Sequence, residues 1–294
     1  MSISEPIKKI LRPVVDRGIH LGGQSYIAGE TLDQAIDTFE YLSARGCACT
    51  LGYWNQTGES SAAIADVNIA ALQAIKNSNG NGYLSVKLPP MHFDENLYAK
   101  IVNKARELRV PIHLDSHSLA DADRTLELIT RHTQPPYDDI GYSLPGRWKR
   151  SVADADLAAE LGITVRVVKG QWDDPEDPER DPRAGFLAIV ECLAGRAKLV
   201  RLASHDPTLI RESIKLLKCT DTACELELLY GLPVKAVLAV AKEYRVPVRM
   251  YIPYGMGSLP YALKYLRKNP RVLWWLFKDA LLGSYKKRFP KLNQ

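Results

Sequence analysis

The chain has 294 residues, 46% of them hydrophobic and 25% charged, the balance of an ordinary globular protein with a large buried core. A net charge of +5 is too small to make the dense basic stripe of a nucleic-acid-binding surface. Five cysteines, at 47, 49, 192, 219 and 224, are odd in number and form no C-x-x-C pair, which argues against a disulfide framework or a zinc site and fits reduced apolar fillers in a cytoplasmic protein.

The N-terminus (MSISEP) lacks a basic start followed by an apolar run, and no apolar stretch reaches the ~18 residues of a membrane span. A soluble, cytoplasmic protein is expected. The chain contains no internal repeat, low-complexity tract or linker, so 1–294 is expected to form one domain, with a leader and helix over 1–45, a barrel over 46–283 and a basic tail over 284–294.

The elements alternate. Thr31 and Gln34 make a capping box that opens a helix running to about 45. Short runs rich in β-branched and other apolar residues follow at 46–51 (GCACTL), 83–88 (YLSVKL), 111–115 (PIHLD) and 140–144 (IGYSL), then at 164–169 (TVRVVK), 199–203 (LVRLA), 224–229 (CELELL) and 248–252 (VRMYI). Each gap is long enough for a crossover helix. Over 153–161, Ala153, Leu157, Ala158 and Leu161 share a face and Gly162 stops the helix. Over 206–218, Asp206 and Pro207 start a helix whose buried face is Leu209, Ile210, Ile214 and Leu217. Parallel strands joined by right-handed helical crossovers most simply close as a (β/α)8 TIM-type barrel, with a doubly wound open sheet as the alternative. The segment 171–184, rich in Pro and Asp, is expected as an exposed loop after the fifth strand.

Catalytic groups of such barrels sit where strands end. The strand ends here carry Tyr53, Trp54 and Asn55; Lys87; Asp115, Ser116 and His117; Pro145, Arg147 and Arg150; Lys169 and Gly170; Ser204 and His205; Tyr230; and Tyr251 and Tyr254. Arg166 and Lys169, three apart, point to opposite faces of an ideal strand unless the strand ends between them, and both could simply pair with acids on neighbouring strands. Lys169 followed by Gly170 suits an anion, because the glycine lets a phosphate approach the backbone. Asp115 reads as a ligand contact, a helix N-cap or a partner for Lys87. The run Ser204, His205, Asp206 is not a catalytic triad, since contiguous residues cannot stack in the required order. The histidines show no i, i+4 pair on a helix for a metal, and no Rossmann or Walker loop is present.

Several segments, in order, resemble the signatures of the proline dehydrogenase family. RVVKGQW (166–172) resembles R-L-V-K-G-A-Y; LASHDP (202–207) resembles A-T-H-D/N; ELELLYG (225–231) resembles E-F-Q-x-L-Y-G; VRMYIPYG (248–255) resembles V-R-x-Y-V-P-Y-G. Upstream, SVKL (85–88) and Leu114-Asp115 match S-x-K-L and R-L-D, so the resemblance runs from about 46 to 283. It implies a distorted barrel with FAD at its mouth, a C-terminal helix over that mouth, and hydride removal from a secondary amine to the flavin. Carried over by position, Asp115 and Arg166 would be catalytic, with Arg166 beside the flavin. Ser116, Lys169, Gly170, Gln171, Ser204 and His205 would hold the cofactor. Lys87, Trp172 and Tyr251 would face the substrate, Trp172 standing where the family has a tyrosine.

The departures fall at the substrate end. The family's Y-L-x-R-R-L-x-E, whose arginines clamp a carboxylate, is here YALKYLRK (261–268), so Lys264 and Tyr265 replace both arginines. Pro145 stands where the family places a flavin-bonding glutamine, and D-x-L-G-E becomes CTLGY (49–53). A related cyclic amine or amino acid is therefore expected in preference to free proline, with quinone or oxygen both open as electron acceptor. The competing expectations are a redox-inactive barrel that serves as a binding or interaction protein, and a flavin-free lyase using Lys87 or Lys169 as a Schiff base. The aromatic and basic segment 271–291 suggests at most a peripheral membrane contact, its simpler reading being a packed C-terminal helix with a solvated end.

Overall fold

A computed structural model of the chain describes residues 28–132, 139–257 and 289–292. Eight parallel strands close into a barrel in sequence order: β1 (Ala48–Tyr53), β2 (Gly82–Val86), β3 (Ile112–Leu114), β4 (Ile140–Pro145), β5 (Thr164–Val168), β6 (Leu199–Ala203), β7 (Ala223–Leu229) and β8 (Val248–Tyr254). The expectation of a closed barrel rather than an open sheet holds, and each strand lies within two residues of its expected bounds. The helices are α1 (Leu32–Ser43), α2 (Ser61–Asn77), α3 (Glu95–Leu108), α4 (Ala122–His132), α5 (Ser151–Leu161), α6 (Pro182–Leu193), α7 (Pro207–Cys219) and α8 (Lys235–Tyr244).

Local signals set the helix ends as the sequence indicates. Thr31 and Gln34 form the capping box of α1, Asp206 caps α7 through the Thr208 and Leu209 N–H groups, and Gly162 ends α5 in the left-handed conformation. Helix α1 packs on both β1 and β8 and covers the seam between the last and first strands, so the segment read as a leader and helix contributes to the barrel wall. Ala28 N–H donates to the Pro253 carbonyl at 3.1 Å across the same seam.

Each strand turns an apolar face outward to the helices. Leu51, Leu84, Leu114, Leu144, Val167, Leu202, Leu226 and Met250 are all fully buried in that shell. The alternate residues point into the lumen and are polar: Thr50, Tyr83, Ser85, His113, Ser143, Arg166, Arg201, Glu225, Glu227, Arg249 and Tyr251. The period-two alternation therefore separates a dry core from a hydrogen-bonded interior. Lys264 and Tyr265, and with them the expected C-terminal helix, lie outside the described residues. Beyond that stretch, Phe289 is buried and Leu292 N–H donates to the Arg45 carbonyl at 2.9 Å, which brings this end of the chain to the loop before β1.

Candidate active site

The strand ends surround a cavity of about 740 Å³, within the ordinary range for a ligand site. Lys87, Asp115, Ser116, Pro145, Arg166, Lys169, Gly170, Gln171, Trp172, Ser204, His205 and Tyr251 all line it, whereas Tyr53, Arg147, Arg150, Tyr230 and Tyr254, also at strand ends, do not.

Its floor is a charged lattice. Strand β5 ends at Val168, between Arg166 and Lys169, and this is why both can face the cavity despite their spacing. Arg166 is 5% exposed and uses its whole guanidinium. Nε and Nη2 donate to Ser143 Oγ at 3.0 and 2.7 Å, Nη1 donates to Glu227 Oε1 at 3.2 Å, and Nη2 also pairs with Asp115. Asp115 in turn accepts from Ser85 Oγ at 2.5 Å and Tyr251 OH at 3.1 Å, and pairs with Lys87 Nζ at 3.0 Å. It caps no helix, because the turn at Leu119–Asp121 is capped by Ser118. Burial alone would raise the Asp115 carboxyl, but Lys87 and then Arg166 outweigh it and hold the group well below the usual carboxylate range. Asp115 is thus a fixed anion.

Lys87 Nζ also donates to Tyr251 OH at 3.1 Å and to the Tyr53 carbonyl at 3.2 Å. Burial would depress the Lys87 ammonium, yet its Tyr251 and Asp115 partners raise it above its ordinary value. A Schiff-base lysine needs the opposite shift. For Tyr251, burial and then Asp115 push the phenol up, leaving a neutral hydroxyl at neutral pH. The Tyr251 ring lies over β1 where Gly52 has no side chain; a methyl there would overlap the phenol.

The rim is built differently. Lys169 Nζ reaches Asp206 at 3.3 Å, and Arg183 pairs with the same carboxylate. Gly170 adopts φ +91°, which lets the chain turn inward against the Pro145 ring, where a side chain would not fit. Pro145 offers only an apolar surface to the cavity; its carbonyl is taken by Ser151 Oγ at 2.7 Å. His205 accepts from Leu229 N–H at Nε2 and contacts the Pro233 carbonyl at Nδ1, both at 3.0 Å. Both nitrogens are consumed, which fixes a neutral Nδ1–H tautomer, and only the ring faces the cavity. Trp172 is 45% exposed and its carbonyl accepts from Trp148 Nε1 at 3.0 Å.

Sequence reasoning assigned no role to Glu227, Ser143 or His113. Glu227 accepts from Thr50 Oγ1 at 3.0 Å, Tyr83 OH at 2.6 Å and Arg166, and joins four strands across the lumen. The alternation CELELL already marks an inward carboxylate on β7, the one signal that could have found it. Deeper still, Glu225 accepts from Arg201 Nε at 2.5 Å and Arg249 Nε at 2.8 Å, and both guanidinium groups lie over the Tyr83 ring. No group of three or more metal-ligating side chains gathers among the described residues, and none of their helices is long and apolar enough to cross a membrane.

Comparison with known proteins places this arrangement. Proline dehydrogenase 1 of Bacillus subtilis (strain 168) is 25% identical over 283 residues, which is 90% of this chain and 92% of its own. Proline dehydrogenase of Deinococcus radiodurans is 26% identical over 281 residues, 88% of this chain and 90% of its own. The chain is similar to proline dehydrogenases over about nine-tenths of its length. No protein-family model matches it. Among solved structures, proline utilization A (PutA) from Bdellovibrio bacteriovorus, inactivated by N-propargylglycine, superposes with a TM-score of 0.78 at 16% identity. The match covers 97% of this chain and 36% of that one, so the present chain spans about a third of PutA. At that identity the agreement is one of fold, and it supports the TIM-type barrel.

Proposed function

We propose that the chain is an FAD-dependent oxidoreductase that removes a hydride from the C–N bond of proline or of a related cyclic amine or amino acid. The observation that carries this reading is Arg166, a guanidinium held rigidly at the cavity by Asp115, Glu227 and Ser143. Such a preorganised cation stabilises negative charge that develops during reaction, at no cost in reorganisation.

The residues present suit a flavin. Gly170 provides a close backbone approach beside Lys169, Pro145 and Val168 give apolar surface, and Ser204 and His205 complete the rim. When bound there, FAD would supply the hydride acceptor. The chain's own contribution is positional and electrostatic: Asp115 stays ionised and orients Lys87, Tyr251 and Arg166 together, while Tyr251 keeps a neutral hydroxyl at the substrate side. Asp115 is not a proton donor at neutral pH.

The substrate reading rests on the sequence, where Lys264 and Tyr265 replace two guanidinium groups and so remove a bidentate carboxylate clamp. Relatives named as dehydrogenases over some 90% of the chain disfavour a redox-inactive binding protein. The Lys87–Asp115 pair disfavours a Schiff-base lyase. The test is the visible spectrum of the protein as purified and after incubation with FAD, followed by anaerobic addition of proline and other cyclic amines. Flavin bands that bleach with one amine support the reading and name the substrate; a protein that takes up no FAD overturns it.

A further inference from the structure

Arg166 depends on a hydroxyl whose orientation is set by a second residue. Ser143 Oγ has two lone pairs and one proton. Both lone pairs face Arg166, which donates to them through Nε at 3.0 Å and Nη2 at 2.7 Å. The hydroxyl proton must then leave in another direction, and His113 Nε2 lies 3.0 Å away on the adjacent strand. That ring nitrogen must be a bare acceptor, which puts the His113 proton on Nδ1. Nδ1 is buried and has no hydrogen-bond partner. The ring fits beside β4 only because residue 141 is glycine, where a methyl would overlap Nδ1. A buried donor left without a partner calls for an explanation, and here the other side of the ring supplies it.

We propose that His113 and Ser143 are positioning residues for Arg166: His113 accepts the Ser143 hydroxyl proton and thereby turns the serine to receive two guanidinium bonds. The groups around the ring agree. Tyr83 lies 5.6 Å away ring to ring, and burial first, then Arg166, Arg201 and Arg249, oppose a second proton on the imidazole and outweigh Asp115, which favours it. A charged His113 would also present a donor to an oxygen that has no acceptor site left. The assignment rests on Arg166 having the role proposed above.

Two measurements test it. In the full-length protein labelled with ¹⁵N-histidine, His113 should show a pyridine-type Nε2 and a pyrrole-type Nδ1, unchanged from pH 8 to about pH 5, below the ordinary histidine pKa. A protonated Nε2, or a titrating ring, overturns the relay whether or not the protein turns over. In the FAD-loaded enzyme, Ser143→Ala and His113→Leu should each lower kcat about 10- to 100-fold with little change in KM, the expected loss of a hydrogen bond to a charged group. His113→Gln, whose Oε1 can replace Nε2 as an acceptor, should recover most of the His113→Leu loss. Equal losses in His113→Leu and His113→Gln, tracking a lower Tm, would make the pair merely structural. A wild-type protein that takes up no FAD would sink the oxidoreductase reading, while the nitrogen spectrum would still decide the relay.

Discussion

Deep in the lumen, Arg201 and Arg249 share one carboxylate, Glu225, whereas nearer the mouth Arg166 divides its donors among Asp115, Glu227 and Ser143. Both layers pair arginine with acid in the barrel lumen, and β7 contributes a glutamate to each. They differ in what borders them. None of the three deeper groups lines the cavity, while Arg166, Asp115, Ser143 and Glu227 all do. A buried ion cluster with no access to ligand acts through stability and register alone, since its charges are desolvated and stay so. The same chemistry one layer higher is available to a bound molecule. Position along the strand, more than residue type, separates scaffold from site.

That contrast can be broken in either layer. Arg166→Met should have the largest effect, lowering kcat by about 10²- to 10³-fold, the usual cost of removing a preorganised charge-stabilising donor, as read from anaerobic flavin reduction. Glu225→Gln should instead unfold the molecule more readily, by about 3–5 kcal/mol, because two guanidinium groups are left without a counter-charge. Denaturant melts would measure this, and kcat of the folded fraction should stay close to wild type. A kcat loss as large as that of Arg166→Met would erase the distinction between the layers.

Asp115 sharpens it by pH. Its folded-state pKa lies below the ordinary 3.8, so its stabilising contribution is present above that value and is lost as pH falls through the folded pKa. The stability advantage of wild type over Asp115→Asn should therefore shrink as pH drops below about 4, a trend read from parallel melts. An advantage that is flat from pH 6 to pH 2 would mean the carboxylate is not held as an ion. Gly52→Ala should cost activity more than stability, about 10-fold in kcat/KM, by pushing the Tyr251 phenol off Lys87 and Asp115. The smallest effect should come from the exposed Arg211–Glu243 pair, whose removal by Arg211→Ala should leave the denaturation midpoint essentially unchanged.

The strands are legible because the period-two signal is local. In VRVV and VRLA each arginine stands between apolar neighbours, which sets it on the face opposite to theirs, and closure of the barrel decides that this face is the lumen. The Lys87–Asp115 pair was legible too, since both end adjacent strands. Glu227 was not, because its partners Thr50 and Tyr83 lie 177 and 144 residues away, and only closure of the barrel brings them near. His113 is hidden for a similar reason, because its partner Ser143 sits one strand across and not one helical turn along the chain. The directions of Arg166 and Lys169 depend on where β5 ends, and strand ends are the least certain feature of a sequence pattern.

The seam between β1 and β8 carries a consequence for synthesis. Ala48 pairs with Arg249, so the first strand waits some 200 residues for its neighbour while the chain is still emerging from the ribosome. During that interval β1 has an open edge, the kind of surface that recruits other chains. The interior of the unfinished barrel, however, is lined by Arg166, Arg201, Glu225 and Glu227, charged groups that hold water. The lattice that later fixes Arg166 thus keeps the nascent half-barrel wet, and its dehydration is deferred to the moment the eighth strand arrives.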